Sequence, residues 1–270
     1  MVSEILRLDH SERRHLAAAV CASATGRGPA IVSVGAESTS VAVALAEDAQ
    51  ASGAAAVMAV PPLTVAVGDR ELEEYFNAIL ASTDIPLVVQ DASSYVGNPI
   101  PLTVLANLQD RHGERLYFKP EAQSLGPRLT ALLQATGGRA RAYDGSGGVA
   151  LVDTFRRGIV GSMPAADVCW AIVRMWEALE KGDYAAAYRI SLPLSALLAL
   201  QTSLDAYVGI EKYLLVKQKV FHSDARRRPV MFEIDEATAV QVDALFELLC
   251  VSCGFSPLEV QDVARRAPTP

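Results

Sequence analysis

Arg115-Leu-Tyr-Phe-Lys-Pro-Glu-Ala122 is the stretch on which the reading of this chain turns. Leu116, Tyr117 and Phe118 are β-formers, Pro120 stops the strand, and Lys119 stands at its C-terminal end. The chain holds five lysines, and the other four (Lys181, Lys212, Lys217 and Lys219) lie in helical patterns nearer the C-terminus. Arginine serves almost everywhere else a cation is wanted. A lysine at the end of a buried strand points to a need that arginine cannot meet, a deprotonatable amine. The plain alternative is a strand-end lysine that reaches solvent, and position alone leaves both open.

Working outward, the same strand–loop–helix unit recurs. Strands read over 29–34, 54–60, 85–89, 116–119, 139–143 and 159–160. Helices read over 10–24, 40–52, 69–81, 101–111, 125–135 and 149–157, with a long one ending near Lys181. Asp9 and Glu12 make a capping box for the first helix, and Asp69 is placed to cap the third. Repetition at intervals of roughly 25–30 residues is the mark of parallel βαβ units. Strands that are apolar throughout predict cover on both faces. A doubly wound sheet and a (β/α)8 barrel both fit. After Gly182 the rhythm stops, and 184–200, 204–220, 236–253 and 257–266 read as helices only. The chain therefore divides into a sheet-bearing part, 1–182, and a C-terminal helical region, 183–270.

With 270 residues, 51% of them hydrophobic, the chain is long enough for one large domain or a domain with an appendage. A net charge of -7 gives no electrostatic case for nucleic acid or an anionic membrane. Four cysteines are no disulfide framework, and the Cys250-x-x-Cys253 pair sits in an apolar helical run. No signal-peptide pattern opens the chain and no apolar run reaches bilayer length, so a soluble cytoplasmic protein is expected.

Strand C-termini are where parallel barrels collect their chemistry. Those positions hold Glu37 and Ser38, Pro61 and Pro62, Gln90 and Asp91, Lys119 and Glu121, Asp144 and Gly145, and Ser162 and Met163. Only Lys119 is an obvious nucleophile. Desolvation among Tyr117, Phe118 and Met163 would free its amine for a carbonyl carbon. Asp91 also reads as a turn-former, and Glu121 as a simple partner of Lys119. The glycines at 145, 147 and 148 offer N–H groups to an anion, or merely make a turn. No histidine stands at a strand end, so neither a Ser-His-Asp triad nor a His-rich metal site is supported.

The order of motifs resembles the dihydrodipicolinate synthase/N-acetylneuraminate lyase family of class I, Schiff-base aldolases. The motifs are Glu4…Leu8…Glu12-Arg13-Arg14, Val34-Gly-Ala-Glu-Ser-Thr39, Gly53-Ala-Ala-Ala-Val57…Val60-Pro-Pro62, Ile85-Pro…Val96-Gly97, Lys119 with Glu121-Ala122, and Gly158…Gly161. The resemblance implies a (β/α)8 TIM barrel with a C-terminal helical extension. It places Lys119 on the Schiff-base lysine, Gly145 on the turn after the seventh strand, and Met163 on the apolar residue beside the substrate after the eighth. It implies no cofactor, no metal, a small 2-oxo acid as substrate, and a homo-oligomer, dimer or tetramer.

Three departures accompany the resemblance. The family's first strand, first helix and second strand have no counterpart, and its threonine pair lands on Met1 and Val2, as in an N-terminally shortened member. The family's proton-relaying tyrosine lands on Gln90, whose amide is neither acid nor base near neutral pH. The arginine by which true dihydrodipicolinate synthases hold the aldehyde's carboxylate lands on Tyr95. The reading is therefore a lyase or aldolase of 2-oxo acids acting through Lys119, and not a true dihydrodipicolinate synthase. Gln90, Asp91, Tyr95, Glu121, Gly145 and Met163 would line the substrate, with Tyr95, Asp91 or water relaying protons. The alternative is an inactive homologue that serves as a binding or assembly module.

Overall fold

The computed structural model describes residues 3–95 and 97–256. Met1 and Val2, the helix expected over 257–266, and Val96 lie outside the described residues.

Helix α1 (His10–Ala24) starts where the capping box predicts. Asp9 accepts the Glu12 N–H at 2.8 Å, and the Asp9 N–H donates to the Glu12 carboxylate at 3.0 Å. Strand β1 (Ile31–Ser33) and helix α2 (Thr39–Ala51) follow. The alanine-rich α2 buries Ala42, Leu45, Ala46 and Ala49, one stripe at helical spacing. After β2 (Ala56–Ala59), helix α3 (Asp69–Ser82) buries Leu72, Tyr75, Phe76, Ile79 and Leu80. Its N-cap is Gly68 and not Asp69; Asp69 is the first helical residue, where a carboxylate favours the positive end of the helix dipole. Then come β3 (Leu87–Asp91), α4 (Leu102–His112), β4 (Leu116–Pro120) and α5 (Leu125–Ala135).

Pro120 does not stop the strand but takes its last rung, opposite Asp91. A proline lacks only the N–H, and the next residue restores the ladder, the Glu121 N–H donating to the Asp91 carbonyl at 2.7 Å. Likewise Gln90 and Asp91 are the last residues of β3 and not the start of a loop.

All four strands are parallel and lie in sequence order, β1-β2-β3-β4, with Gln90 beside Lys119 on the β3–β4 rung. A parallel bridge from Phe118 to Ala142 continues the series toward β5 (Tyr143–Asp144), and the Val160 N–H bonds back to Ala142 just before β6 (Gly161–Ser162). Right-handed crossovers that always advance the same way lay every helix on one face of the sheet. A doubly wound sheet needs a reversal of order, and none occurs in this series. β3 is buried at every residue, whereas β1, paired only with β2 among the described residues, is half-buried throughout, against the expectation of full cover.

One compact unit holds residues 8–144 and 157–161. Its core is Val57, Phe76, Ile79, Leu87, Leu116, Phe118, Leu129 and Leu132, each at most 1% exposed. The other unit comprises the described parts of 1–7, 145–156 and 162–269. It carries α6 (Leu151–Arg156), α7 (Cys169–Glu180), α8 (Tyr184–Leu198), α9 (Leu204–Lys217) and α10 (Glu236–Ser252). α6 is shorter than the expected 149–157, because Gly147 and Gly148, both at positive φ, keep the chain in a turn until Ala150. Ion pairs from Arg7 to Asp205 and from Lys212 to Glu4 tie the N-terminal stretch to α9. Among the described residues beyond 182 only helices occur. The whole is an α/β fold with a parallel sheet core and C-terminal helices, the arrangement of a partial (β/α)8 barrel.

Candidate active site

Alternation along a strand sorts the end of the sheet into two faces. On β3 and β4, Val88, Gln90, Tyr117 and Lys119 share one face; Val89, Asp91, Phe118 and Pro120 share the other. The second face is the helix side. There Asp91, Phe118 and Pro120 border a small gap with Leu105 of α4 and Arg128 and Leu132 of α5.

Lys119 is only 9% exposed and its ammonium pairs with the Glu121 carboxylate. Glu121, two residues on, returns to the same side as Lys119. Its two oxygens also accept the Gln90 amide N–H, at 3.0 and 3.1 Å. The main chain of Glu121 is clamped as well, its N–H donating to Asp91 and its carbonyl accepting the Ser94 N–H at 3.0 Å. Glu121 thus sits where the ends of β3 and β4 and the loop 92–100 meet, and it is 6% exposed.

Tyr95 stands in that loop. It keeps 39% of its surface, yet its hydroxyl end is desolvated. Burial first, then the Glu121 and Asp144 carboxylates, push its pKa above the ordinary tyrosine value, so the phenol stays protonated. Asp144 is 1% exposed at the end of β5, and its charge is the smaller of the two that act on this phenol. The mark that Asp144 carries in the sequence is its position at a strand end.

Asp91 is not with these groups. Its carboxylate faces α5, pairing with Arg128 at 3.1 Å and accepting the Ser93 and Ile100 N–H groups. Its turn-forming reading describes what it does: it closes the loop 92–100 onto the helix layer. Arg128, whose guanidinium also reaches the Ile100 carbonyl, carries no mark in the sequence. Gly145 and Met163 belong to the other unit, Gly145 buried and Met163 half-buried. Near Gly145, Ser146 accepts the Ala150 N–H at 2.9 Å, and a side chain at Gly148 would strike Ile172 and Leu194. That glycine serves packing.

At the far edge of the sheet, Glu37 accepts the Leu63 and Thr64 N–H groups and shapes the loop after β2. The Tyr75 hydroxyl bonds to the Ala36 main chain, and burial pushes its pKa up to about 12. Among the described residues no group of three or more His, Cys, Asp or Glu is placed to hold a metal ion, and no helix is long and apolar enough to cross a membrane.

Comparison with known proteins adds the lineage. The chain is 29% identical over 263 residues to an L-2-keto-3-deoxyarabonate dehydratase of Azospirillum brasilense, spanning 95% of this chain and 81% of that protein. It is 26% identical over 249 residues to a 4-hydroxy-tetrahydrodipicolinate synthase of Mesorhizobium japonicum, spanning 88% and 80%. Among solved structures, YagE from E. coli K12, a prophage protein of the dihydrodipicolinic acid synthase family in complex with pyruvate, shares the fold. Its TM-score is 0.81 at 19% identity, over 92% of this chain and 84% of that one. A model of the dihydrodipicolinate synthetase family matches residues 3–247, and the chain belongs to that family.

Proposed function

We propose that this chain is a lyase or aldolase that binds a 2-oxo acid of the pyruvate type as an imine on Lys119. The observation that carries the reading is a buried strand-end lysine facing the same side as Gln90 and paired with Glu121, whose charge Tyr95 feels. In such an enzyme the amine condenses with the keto carbon, and the iminium then draws electrons from the bond that breaks or forms. The relatives support the substrate class, since one is named as a 2-keto-3-deoxyarabonate dehydratase and another as a probable 2-dehydro-3-deoxy-D-pentonate aldolase. Dihydrodipicolinate synthesis itself is disfavoured by Tyr95 in place of the family's arginine. The reading carries with it a (β/α)8 barrel bounded near residue 182, and a cytoplasmic homo-oligomer. Four free cysteines fit a reducing compartment.

A second reading, a binding or assembly module without turnover, rests on one feature, the amide of Gln90 where the family keeps a tyrosine. Borohydride reduction with pyruvate and with bulkier 2-oxo acids, followed by peptide mapping, separates the two. The reduced adduct is expected on Lys119 and no other lysine, and Lys119→Arg should lose it while keeping the fold. An adduct elsewhere, or none with any 2-oxo acid, removes the lysine reading.

A further inference from the structure

Imine chemistry needs a group that takes a proton from the lysine, hands one to the departing oxygen, and exchanges one at the carbon beside the iminium. Gln90 has no proton to exchange in this range. Asp91 faces α5 and is bound to Arg128. Burial, then the Glu121 and Asp144 charges, raise the Tyr95 pKa and make its phenol a weaker acid than an ordinary tyrosine. Glu121 touches the Lys119 nitrogen directly.

We propose that Glu121 is a catalytic residue of this site, the proton shuttle that stands in for the missing tyrosine, with Gln90 as the donor that orients it. The inference rests on Lys119 being the imine-forming residue. The Lys119 ammonium gives a proton to Oε1 of Glu121, leaving a neutral amine and a carboxylic acid. The nitrogen lone pair forms a C–N bond to the keto carbon while the C=O π pair moves to oxygen. Glu121 relays a proton from nitrogen to that oxygen, giving the carbinolamine. It then delivers its own proton to the hydroxyl; the C–O bond breaks, water leaves, and the nitrogen lone pair closes the C=N bond. Glu121 is again a carboxylate, placed to take a proton from C3 and give the enamine. The two N–H contacts from Gln90 and the main-chain bonds to Asp91 and Ser94 keep the carboxylate in place through these changes. Among the described residues, Lys119 pairs with it, and Tyr95 feels its charge together with that of Asp144.

The test follows the full-length protein with pyruvate and with 2-oxobutanoate. Adduct formation is timed by borohydride quench and mass spectrometry from pH 5 to 9, and proton exchange at C3 is followed by NMR in D2O. Glu121→Gln should slow imine formation and C3 exchange by about 10²- to 10⁴-fold and flatten the acid limb of the pH profile. Glu121→Ala should regain rate with added formate, a response that a purely structural carboxylate does not give. Glu121→Asp keeps the acid and should recover part of the rate, and Tyr95→Phe should slow imine formation less than Glu121→Gln does. If Glu121→Gln traps the adduct as fast as the parent or faster, Glu121 merely holds the ammonium and the inference falls while the lysine reading stands. The same holds if Tyr95→Phe abolishes trapping and Glu121→Gln does not. Should the parent itself form no adduct, the lysine reading fails first and takes this inference with it.

Discussion

At the end of β1 the chain passes so close to β2 that one atom decides what fits. A Cβ added to Gly35 would lie 2.8 Å from both the backbone N and the backbone O of Val60. Neither can swing aside, unlike the tip of a flexible side chain, so β1 must move away from β2. Gly35→Ala is expected to destabilise the protein by about 1–3 kcal/mol. Gly28→Ala, whose Cβ meets nothing within 4 Å, is the control and should change the melting midpoint little. Equal midpoints for the two variants would refute the close approach. At the same scale the site divides cleanly between the readable and the unreadable. Lys119 is legible because a lysine at a strand end is a local fact. That Glu121 bridges Lys119 and Gln90, while Asp91 turns to Arg128, follows from register and pleat, which no single residue announces.

Among the elements, α1 draws part of its stability from four residues at its start. The reciprocal bonds between Asp9 and Glu12 satisfy N–H groups that a helix terminus leaves open. Asp9→Ala should cost about 1 kcal/mol, and Asp9→Ser should recover most of it, read from chemical denaturation. No loss on Asp9→Ala would mean that water serves that terminus as well as the box does. Such caps, and the buried stripes of α2 and α3, are set by neighbours in sequence, which is why the helix bounds were predictable to within a few residues. The strand bounds shifted more, because a strand ends where its partner does.

For the molecule as a whole, two carboxyls of the unit that carries the C-terminal helices stand out. Asp167, just before α7, is fully buried, and neither carboxylate oxygen has a well-formed hydrogen bond; the nearby N–H groups of Asp167 and Val168 only soften the cost. Burial raises its pKa from 3.8 to about 7. Glu211 of α9 is raised from 4.5 to about 8, by burial first and then by Asp167. Folded-state values above the unfolded ones mean that the native state binds these protons more tightly. Their contribution to stability is fully present below pH 4 and is lost as pH rises toward about 8. Asp205, lowered by Arg7, acts in the opposite sense in acid, and so does His112, lowered by burial, as pH falls through its ordinary value. For the carboxyl pair the loss is on the order of a few kcal/mol. The thermal midpoint should fall between pH 5 and pH 8. Asp167→Asn and Glu211→Gln should each flatten that slope, and the double variant should flatten it most. A parent midpoint that is level or rising over this range would show that the two carboxyls do not govern it.

By itself the sequence determined the succession of strands and helices, the all-helical stretch after Gly182, the capping of α1 and the singular position of Lys119. Each of these depends on residues within a turn or two of one another, where periodicity, caps and breakers act directly. Only the tertiary structure decided between a sheet that advances one way and one that doubles back, because the same βαβ units serve both and the choice lies in which strand pairs with which. It also decided the company of each charge. Glu121 finds Gln90, Asp91 finds Arg128 and Asp167 meets Glu211 across 31, 37 and 44 residues of chain, for those separations are closed by packing, and the sequence carries no local trace of them.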